Sequence, residues 1–248
     1  MSTLGIIGGT GVTRLEGLEI VKRQVVHTPY GEPSGPFTRG RLFGQEIVFL
    51  ARHGYRHNIP PHKINYRANL WAFHHLGIRD IIAFAAVGGI TEAMQPRRIV
   101  IPDQIIDYTY SRHQTYFEED LSHVTHIDFT EPYCPELRRR ILAAVEAEGI
   151  DDAVDHGTYA AMQGPRLETA AEIDRLERDG CDIVGMTGMP EAALARELGL
   201  CYATIAIVAN RAAGRGDGEI TMDAIRDNIA RAAEKGRRIL RCLLAQAG

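Results

Sequence analysis

Residues 80–89 read Asp80-Ile81-Ile82-Ala83-Phe84-Ala85-Ala86-Val87-Gly88-Gly89. No polar side chain interrupts the run from Ile81 to Val87, so the strand it predicts has no wet face and belongs inside a sheet covered on both sides. Short runs of the same kind recur at 4–8, 47–51, 99–101, 182–186 and 201–209. Between them lie segments of helical character. In 62–76, Ile64, Ala68, Trp71 and His75 fall at helical spacing; 135–148 opens on Pro135; 168–178, 190–198 and 221–245 complete the set. Buried strands alternating with helices predict an α/β fold. The Gly/Pro-rich stretch 28–40 reads as a loop rather than a domain linker, because apolar strand patterns resume at once.

A chain of 248 residues has room for one large domain or two small ones, and the absence of any repeat, low-complexity tract or composition break favours one domain over 1–248. With 45% apolar residues, 24% charged residues, a net charge of -4 and no long block of like charge, neither nucleic acid nor an anionic membrane is an expected partner. The start, Met1-Ser2-Thr3-Leu4-Gly5, has no basic segment ahead of an apolar stretch, and no run approaches the ~20 apolar residues that span a bilayer. A cytoplasmic location is the expectation. Cys134, Cys181, Cys201 and Cys242 are scattered without a CxxC pair, and are expected as buried, reduced thiols. All ten histidines lie at or before His156, five of them from His53 to His75. His53, His57 and His62 sit in a polar, Pro-interrupted stretch with no adjacent carboxylate, which argues for structural or substrate contacts and against a metal site.

Six strand-end motifs carry chemistry, each with a plain structural alternative. Gly8-Gly9-Thr10-Gly11 ends the first strand in a turn whose amides and Thr10 hydroxyl suit an anion. A dinucleotide fingerprint would need Gly where Arg14 stands, and a Walker loop would need Gly-Lys-Ser/Thr, so a tight structural turn competes. Arg52-His53-Gly54 offers a planar fork and an imidazole for phosphate oxygens, although a surface salt bridge also explains Arg52. Ala85-Ala86-Val87-Gly88-Gly89 leaves backbone amides open, or simply packs closely. In Gln163-Gly164-Pro165-Arg166-Leu167-Glu168-Thr169, Glu168 is either a ligand group or a helix-capping carboxylate. Gly185-Met186-Thr187-Gly188-Met189-Pro190 brings a hydroxyl to a helix start, where anions bind. Asn210 closes the strand at 201–209 as a turn former or a ligand contact. Ends of strands in an α/β sheet are where ligands bind, so the six gain weight together.

Nearly the whole chain resembles the trimeric purine nucleoside phosphorylase and methylthioadenosine phosphorylase family. The resemblance rests on GGTG at 8–11, RHG at 52–54, NYRANLWA at 65–72, AAVGG at 85–89, THIDFTEPYCP at 125–135, GPRLET at 164–169 and GMTGMPEAALARELGL at 185–200. It implies a single α/β domain with a central mixed sheet flanked by helices, a homotrimer with sites at subunit interfaces, no metal and no cofactor, and inorganic phosphate as co-substrate of a nucleoside. It further implies that Thr10, Arg52, His53, Ala85, Ala86 and Thr187 bind phosphate and that Met186 lies under the ribose. Leu167, Val184 and Ala212 would border the purine, and His126 would be lent by a neighbouring subunit to cover the 5' end. Asn210, Glu168 and His53 are the expected catalytic groups.

Two positions bear on the substrate. Members of the family specific for 6-aminopurines carry Ser at the position of Glu168 and Asp at that of Asn210. Hypoxanthine N1 donates and suits the Glu168 carboxylate, whereas adenine N1 accepts, a mismatch of ~1.5 to 3 kcal/mol, or one to two decades in specificity. Where enzymes for unmodified nucleosides place His, this chain has Met222, and with Ile225 it makes an apolar neighbourhood suited to a 5'-methylthio group, or merely part of the core. The expected reaction is phosphate-dependent cleavage of the N-glycosidic bond of S-methyl-5'-thioinosine. A general inosine and guanosine phosphorylase, a methylthioadenosine phosphorylase, and a nucleotide-binding regulator without catalysis are the alternatives.

Overall fold

The computed structural model describes residues 3–12, 15–119 and 121–246, so Arg14 lies outside the described residues. In chain order the elements are β1 Leu4–Gly8, β2 Glu19–Gln24, β3 Phe37–Leu42, β4 Gln45–Ala51, α1 Tyr66–His75, β5 Asp80–Gly89, β6 Ile99–Val100, β7 Gln104–Asp107, α2 Pro135–Ala147, β8 Thr158–Ala161, α3 Ala170–Arg178, β9 Ile183–Gly185, α4 Gly188–Glu197, β10 Cys201–Arg211 and α5 Met222–Ala245. The fold is α/β, with one mixed sheet in the order β2-β3-β4-β1-β5-β9-β8-β7, and β10 and β6 joined through the other edge of β5.

β5 is the hub, as its uninterrupted apolar run demands. Alternate residues feed two cores. Ile7, Ile81, Ala83, Ala206 and Val208 face Leu70 and Phe73 of α1 and Leu194 of α4. Ile6, Ile82, Phe84, Ile205 and Ile207 face Leu137 of α2 and Ile229 and Leu243 of α5. Each fully buried aliphatic side chain contributes about 1.5–3 kcal/mol, which is why a sheet covered on both faces needs no polar alternation.

β5 is irregular on one edge, and its pairing with β10 on the other is irregular in one place. Residues 81–83 of β5 pair with both β1 and β10, whereas Gly88 and Gly89 pair with β9 and β10. β1 and β9 therefore share one edge of β5, and the stretch 84–87 between them has no strand partner on that side. In β10 the register shifts between Val208, opposite Val87, and Asn210, opposite Gly88, leaving Ala209 as an extra residue. Its carbonyl accepts a hydrogen bond from Asn228 Nδ2 of α5 (2.8 Å).

Several expectations are corrected. β2, β3, β7 and β8 are not legible as strands in the sequence, and the loop at 28–40 runs into β3 at Phe37. The helix expected at 62–76 breaks after a 3-10 turn at Pro61–Lys63, and Asn65 caps α1 by accepting from Ala68 N–H. The buried side of α1 is Tyr66, Ala68, Asn69, Leu70, Ala72 and Phe73, while His75 is exposed and stacks on Trp71. The cysteines are not all thiols: Cys134 and Cys201 form a disulfide, and Cys181 and Cys242 are free. Cys134 N–H bonds to Tyr202 O (2.8 Å), so docking the start of α2 on β10 brings together two sulfurs 67 residues apart. No helix among the described residues is long and apolar enough to cross a membrane.

Candidate functional site

β1, β4, β5 and β10 are mutually parallel, so their C-terminal ends collect at one border of the sheet. A cavity of about 550 Å³ opens there, beside the unpaired stretch of β5. Thr10, Arg52, His53, Ala85, Ala86, Thr187, Met186, Asn210, Ala212, Leu167, Glu168, Val184, Met222 and Ile225 all line it. Fourteen of the fifteen expected site residues thus meet in one space; His126, exposed in the segment between β7 and α2, does not.

The floor is built on Arg52, which is 1% exposed. Its Nε and Nη2 donate to the two carboxylate oxygens of Glu191 (2.7 and 2.6 Å), and Nη1 donates to Phe84 O on the unpaired edge of β5 (2.8 Å). The salt bridge foreseen as an alternative for Arg52 is therefore real but buried, with Glu191 fully enclosed. Burial works against the guanidinium charge, yet Glu191 outweighs it and the Arg52 pKa is raised. A guanidinium has five N–H donors, so two remain for the cavity. The glycine turn lies directly on this group: a Cβ at Gly9 would stand 2.3 Å from Phe84 O and 2.9 Å from Arg52 Nη1. The GGTG segment is thus a structural turn that also delivers Thr10.

His53 bonds through Nδ1 to Ile59 O (2.9 Å). A carbonyl only accepts, so Nδ1 carries the proton and the neutral ring keeps a lone pair on Nε2. Burial, reinforced by the Arg52 charge, pushes its pKa down to about 4, and the ring is neutral near pH 7.

At the other end of the cavity, the capping alternative for Glu168 fails. Thr169 is the N-cap of α3 and makes a reciprocal capping box with Glu172, which leaves Glu168 outside the cap and on the cavity wall. Burial raises its pKa, with Glu172 adding to the effect. Asn210, re-aimed by the extra residue in β10, gives one Nδ2 hydrogen to Arg211 O (2.7 Å) and keeps its second N–H and its carbonyl oxygen. Val184 and Ala212 close on Gly88, where a Cβ would lie 3.1 Å from Val184 Cγ1. Met186 lies against Gly164, where a Cβ would meet its sulfur at 2.4 Å. Leu167 and Met222, 43% and 55% exposed, stand at the mouth with the buried Ile225 behind, so Met222 is not core. Among the described residues, no group of three or more His, Cys, Asp or Glu is placed to hold a metal ion.

The sequence reading missed Glu191, whose place after Pro190 looks like an ordinary first-turn helix acid. It also missed Arg112, which stands in no motif.

Fold and cavity together define an α/β protein with a cavity of polar and apolar lining at the C-terminal border of its parallel strands. Comparison with known proteins narrows the class. Residues 3–245 match the Phosphorylase superfamily. The chain is 53% identical over 244 residues, 97% of its length and 99% of the relative's, to a protein of Pseudomonas syringae pv. tomato named probable S-methyl-5'-thioinosine phosphorylase. It is 47% identical to the 6-oxopurine nucleoside phosphorylase of Pyrococcus furiosus, over 94% of this chain and 89% of that one. Among solved structures, the methylthioadenosine phosphorylase of Schistosoma mansoni in complex with adenine superposes with a TM-score of 0.94 at 32% identity, covering 100% of this chain and 92% of that one. The chain belongs to the phosphorylase superfamily.

Proposed function

We propose that the protein cleaves the N-glycosidic bond of S-methyl-5'-thioinosine with inorganic phosphate, releasing hypoxanthine and 5-methylthioribose 1-phosphate. The enzyme is a pentosyltransferase of the purine nucleoside phosphorylase type. The observation that carries the substrate is that Glu168 and Asn210 both line the cavity, with Glu168 released from capping by Thr169 and Glu172.

In this reading phosphate sits on Arg52, His53, Thr10 and Thr187, beside the open edge at Ala85 and Ala86. Arg52 contributes its two remaining donors. Neutral His53 accepts through Nε2 from the hydroxyl of hydrogenphosphate. A phosphate oxygen attacks C1' as the C1'–N9 bond breaks; the bonding pair leaves with the purine, and inversion gives the α-1-phosphate. Asn210 donates to N7 or O6 as negative charge builds on the ring, Glu168 accepts from N1–H, Val184, Ala212 and Leu167 border the purine, and Met186 lies under the ribose. Met222 and Ile225 receive the methylthio group. His126 acts in a neighbouring subunit, so the active form is a homotrimer. Phosphate is a co-substrate, no metal or cofactor takes part, and the enzyme works in the cytoplasm.

The exposure of Met222 at the mouth favours, as second reading, a general 6-oxopurine nucleoside phosphorylase tolerant of the 5' substituent. Inosine, adenosine and their 5'-methylthio forms, each assayed with and without phosphate, decide. Methylthioinosine should lead and depend on phosphate. Equal turnover of inosine moves the assignment to the second reading, a methylthioadenosine preference refutes the role of Glu168, and turnover without phosphate makes the enzyme a hydrolase.

A further inference from the structure

β8 and β9 pair in parallel from Tyr159 opposite Ile183 to Ala161 opposite Gly185, and a last backbone bond joins Met162 N–H to Gly185 O (2.8 Å). Beyond it the chains diverge. One carries Leu167 and Glu168 into the cavity, the other Met186 and Thr187. Arg112, from the segment after β7, fills the gap between them. Its Nη1 donates to Met186 O (2.9 Å) and Met189 O (2.6 Å), its Nη2 to Gln163 O (2.8 Å), and its Nε to Gln163 Oε1 (3.1 Å). Longer bonds reach Tyr66 Oη and Met162 O (3.3 Å each), and the guanidinium lies 5.5 Å from the centre of the Tyr66 ring.

A side chain has thus replaced the ladder where backbone pairing ends. Carbonyls of both strand extensions are bound by one rigid plane of donors, which an ammonium with three donors on a flexible stem cannot reproduce. Arg112 does not line the cavity and has more acceptors than N–H groups, so it has nothing left for a ligand. We propose that Arg112 is a positioning residue that fixes the Glu168 segment against the Met186–Thr187 segment, and so sets the register of the base against ribose and phosphate. The inference rests on the proposed phosphorolysis of a 6-oxopurine nucleoside. A displacement of about 1 Å from a change outside the chemistry can cost about a hundredfold in rate.

The test compares wild type, Arg112→Lys and Arg112→Ala on 5'-methylthioinosine and 5'-methylthioadenosine, with near-ultraviolet circular dichroism to verify folding. Arg112→Ala should lose about a hundredfold in kcat/KM for the 6-oxo substrate, and its 6-oxo over 6-amino preference should fall about tenfold, with the phosphate KM changed less than about threefold. Guanidinium ion at low millimolar concentration should restore part of both, while Arg112→Lys should stay impaired. If Arg112→Ala does not fold, Arg112→Lys carries the test, and its preference must fall. A loss of rate with unchanged preference and no guanidinium rescue, or wild-type behaviour of both variants, overturns the proposal. A wild type without 6-oxo preference refutes the base reading instead; Arg112 is then judged by guanidinium rescue of kcat/KM alone, rescue supporting its role and no rescue overturning it.

Discussion

Replacing Glu191 by Gln should separate the fate of phosphate from that of the nucleoside. The carboxylate accepts two hydrogen bonds from Arg52 (2.7 and 2.6 Å) and one from Tyr202 Oη (2.8 Å), all buried. Gln keeps one acceptor but turns an NH2 toward the donors and removes the charge that balances a guanidinium 1% exposed. Removing one member of such a pair costs about 3–5 kcal/mol. A domain is stable by about 5–15 kcal/mol, so the variant should fold, with Tm lower by about 10 °C. Arg52, no longer clamped on its Glu191 side, should present its two cavity-facing donors less often, and the apparent KM for phosphate should rise about tenfold to a hundredfold, equivalent to about 1.4–2.7 kcal/mol. The nucleoside KM at saturating phosphate should change less than about twofold. Tyr202→Phe is the control: it deletes one bond to Glu191 yet leaves the ion pair, so it should cost about 1 kcal/mol of stability and little phosphate affinity. Steady-state kinetics with each substrate varied in turn, together with thermal melts, give every quantity. If Tm falls while the phosphate KM stays put, or both KM values rise together, Glu191 is a structural residue and the reasoning fails.

Glu168→Ser with Asn210→Asp should shift preference from methylthioinosine toward methylthioadenosine, and more than the single changes suggest, because both residues contact one ring; competition assays measure the coupling. Met222→His should help inosine without altering the base preference, since an unmatched 5'-hydroxyl in an apolar site costs ~1 to 3 kcal/mol; unchanged relative specificity constants would count against that role. His53, with its pKa lowered from 6.5 to about 4, stabilises the fold fully only above pH 6.5. As pH falls through that window the unfolded chain takes up a proton that the folded chain refuses, so about 2 kcal/mol should be lost between about pH 7 and about pH 5. Denaturant titrations of His53→Gln should show a shallower decline; an identical slope would exclude His53 as its source. Reduction of Cys134–Cys201, which closes a 67-residue separation, should lower stability by about 2–5 kcal/mol but leave phosphorolysis of the folded enzyme unchanged, because the bridge lies at the opposite end of β10 from Asn210.

Legibility in the sequence followed burial. β1, β4, β5 and β10 showed themselves because strands covered on both faces must be apolar throughout, and this central frame carries Thr10, Arg52, His53, Ala85, Ala86 and Asn210. β2 (EIVKRQ) is almost wholly exposed, β3 (FTRGRL) is broken by Gly40 and two arginines, and β7 and β8 are four residues each, too short for a period to register. The site residues emerged as a set through the family resemblance, since every motif had a structural competitor when taken alone. Glu191 and Arg112 remained hidden for a different reason. Their partners are 139 and up to 77 residues away in the chain, and one of Arg112's tasks is to bind carbonyl groups that every residue type carries alike.

The extra residue at Ala209 divides β10 into two independent territories. Up to Val208 the pleat is locked to β5 and packs both cores, so nearly any change there is felt by the whole molecule. One step later the phase has slipped, and the side chain at 210 faces a cavity instead of a neighbour that must fit it. A substitution at that position changes the hydrogen-bonding groups offered to the cavity without renegotiating the packing of residues 201–208. If Asn210 reads the base as proposed, a single unpaired residue gives this scaffold a place where recognition changes between purines while the frame that supports it stays the same.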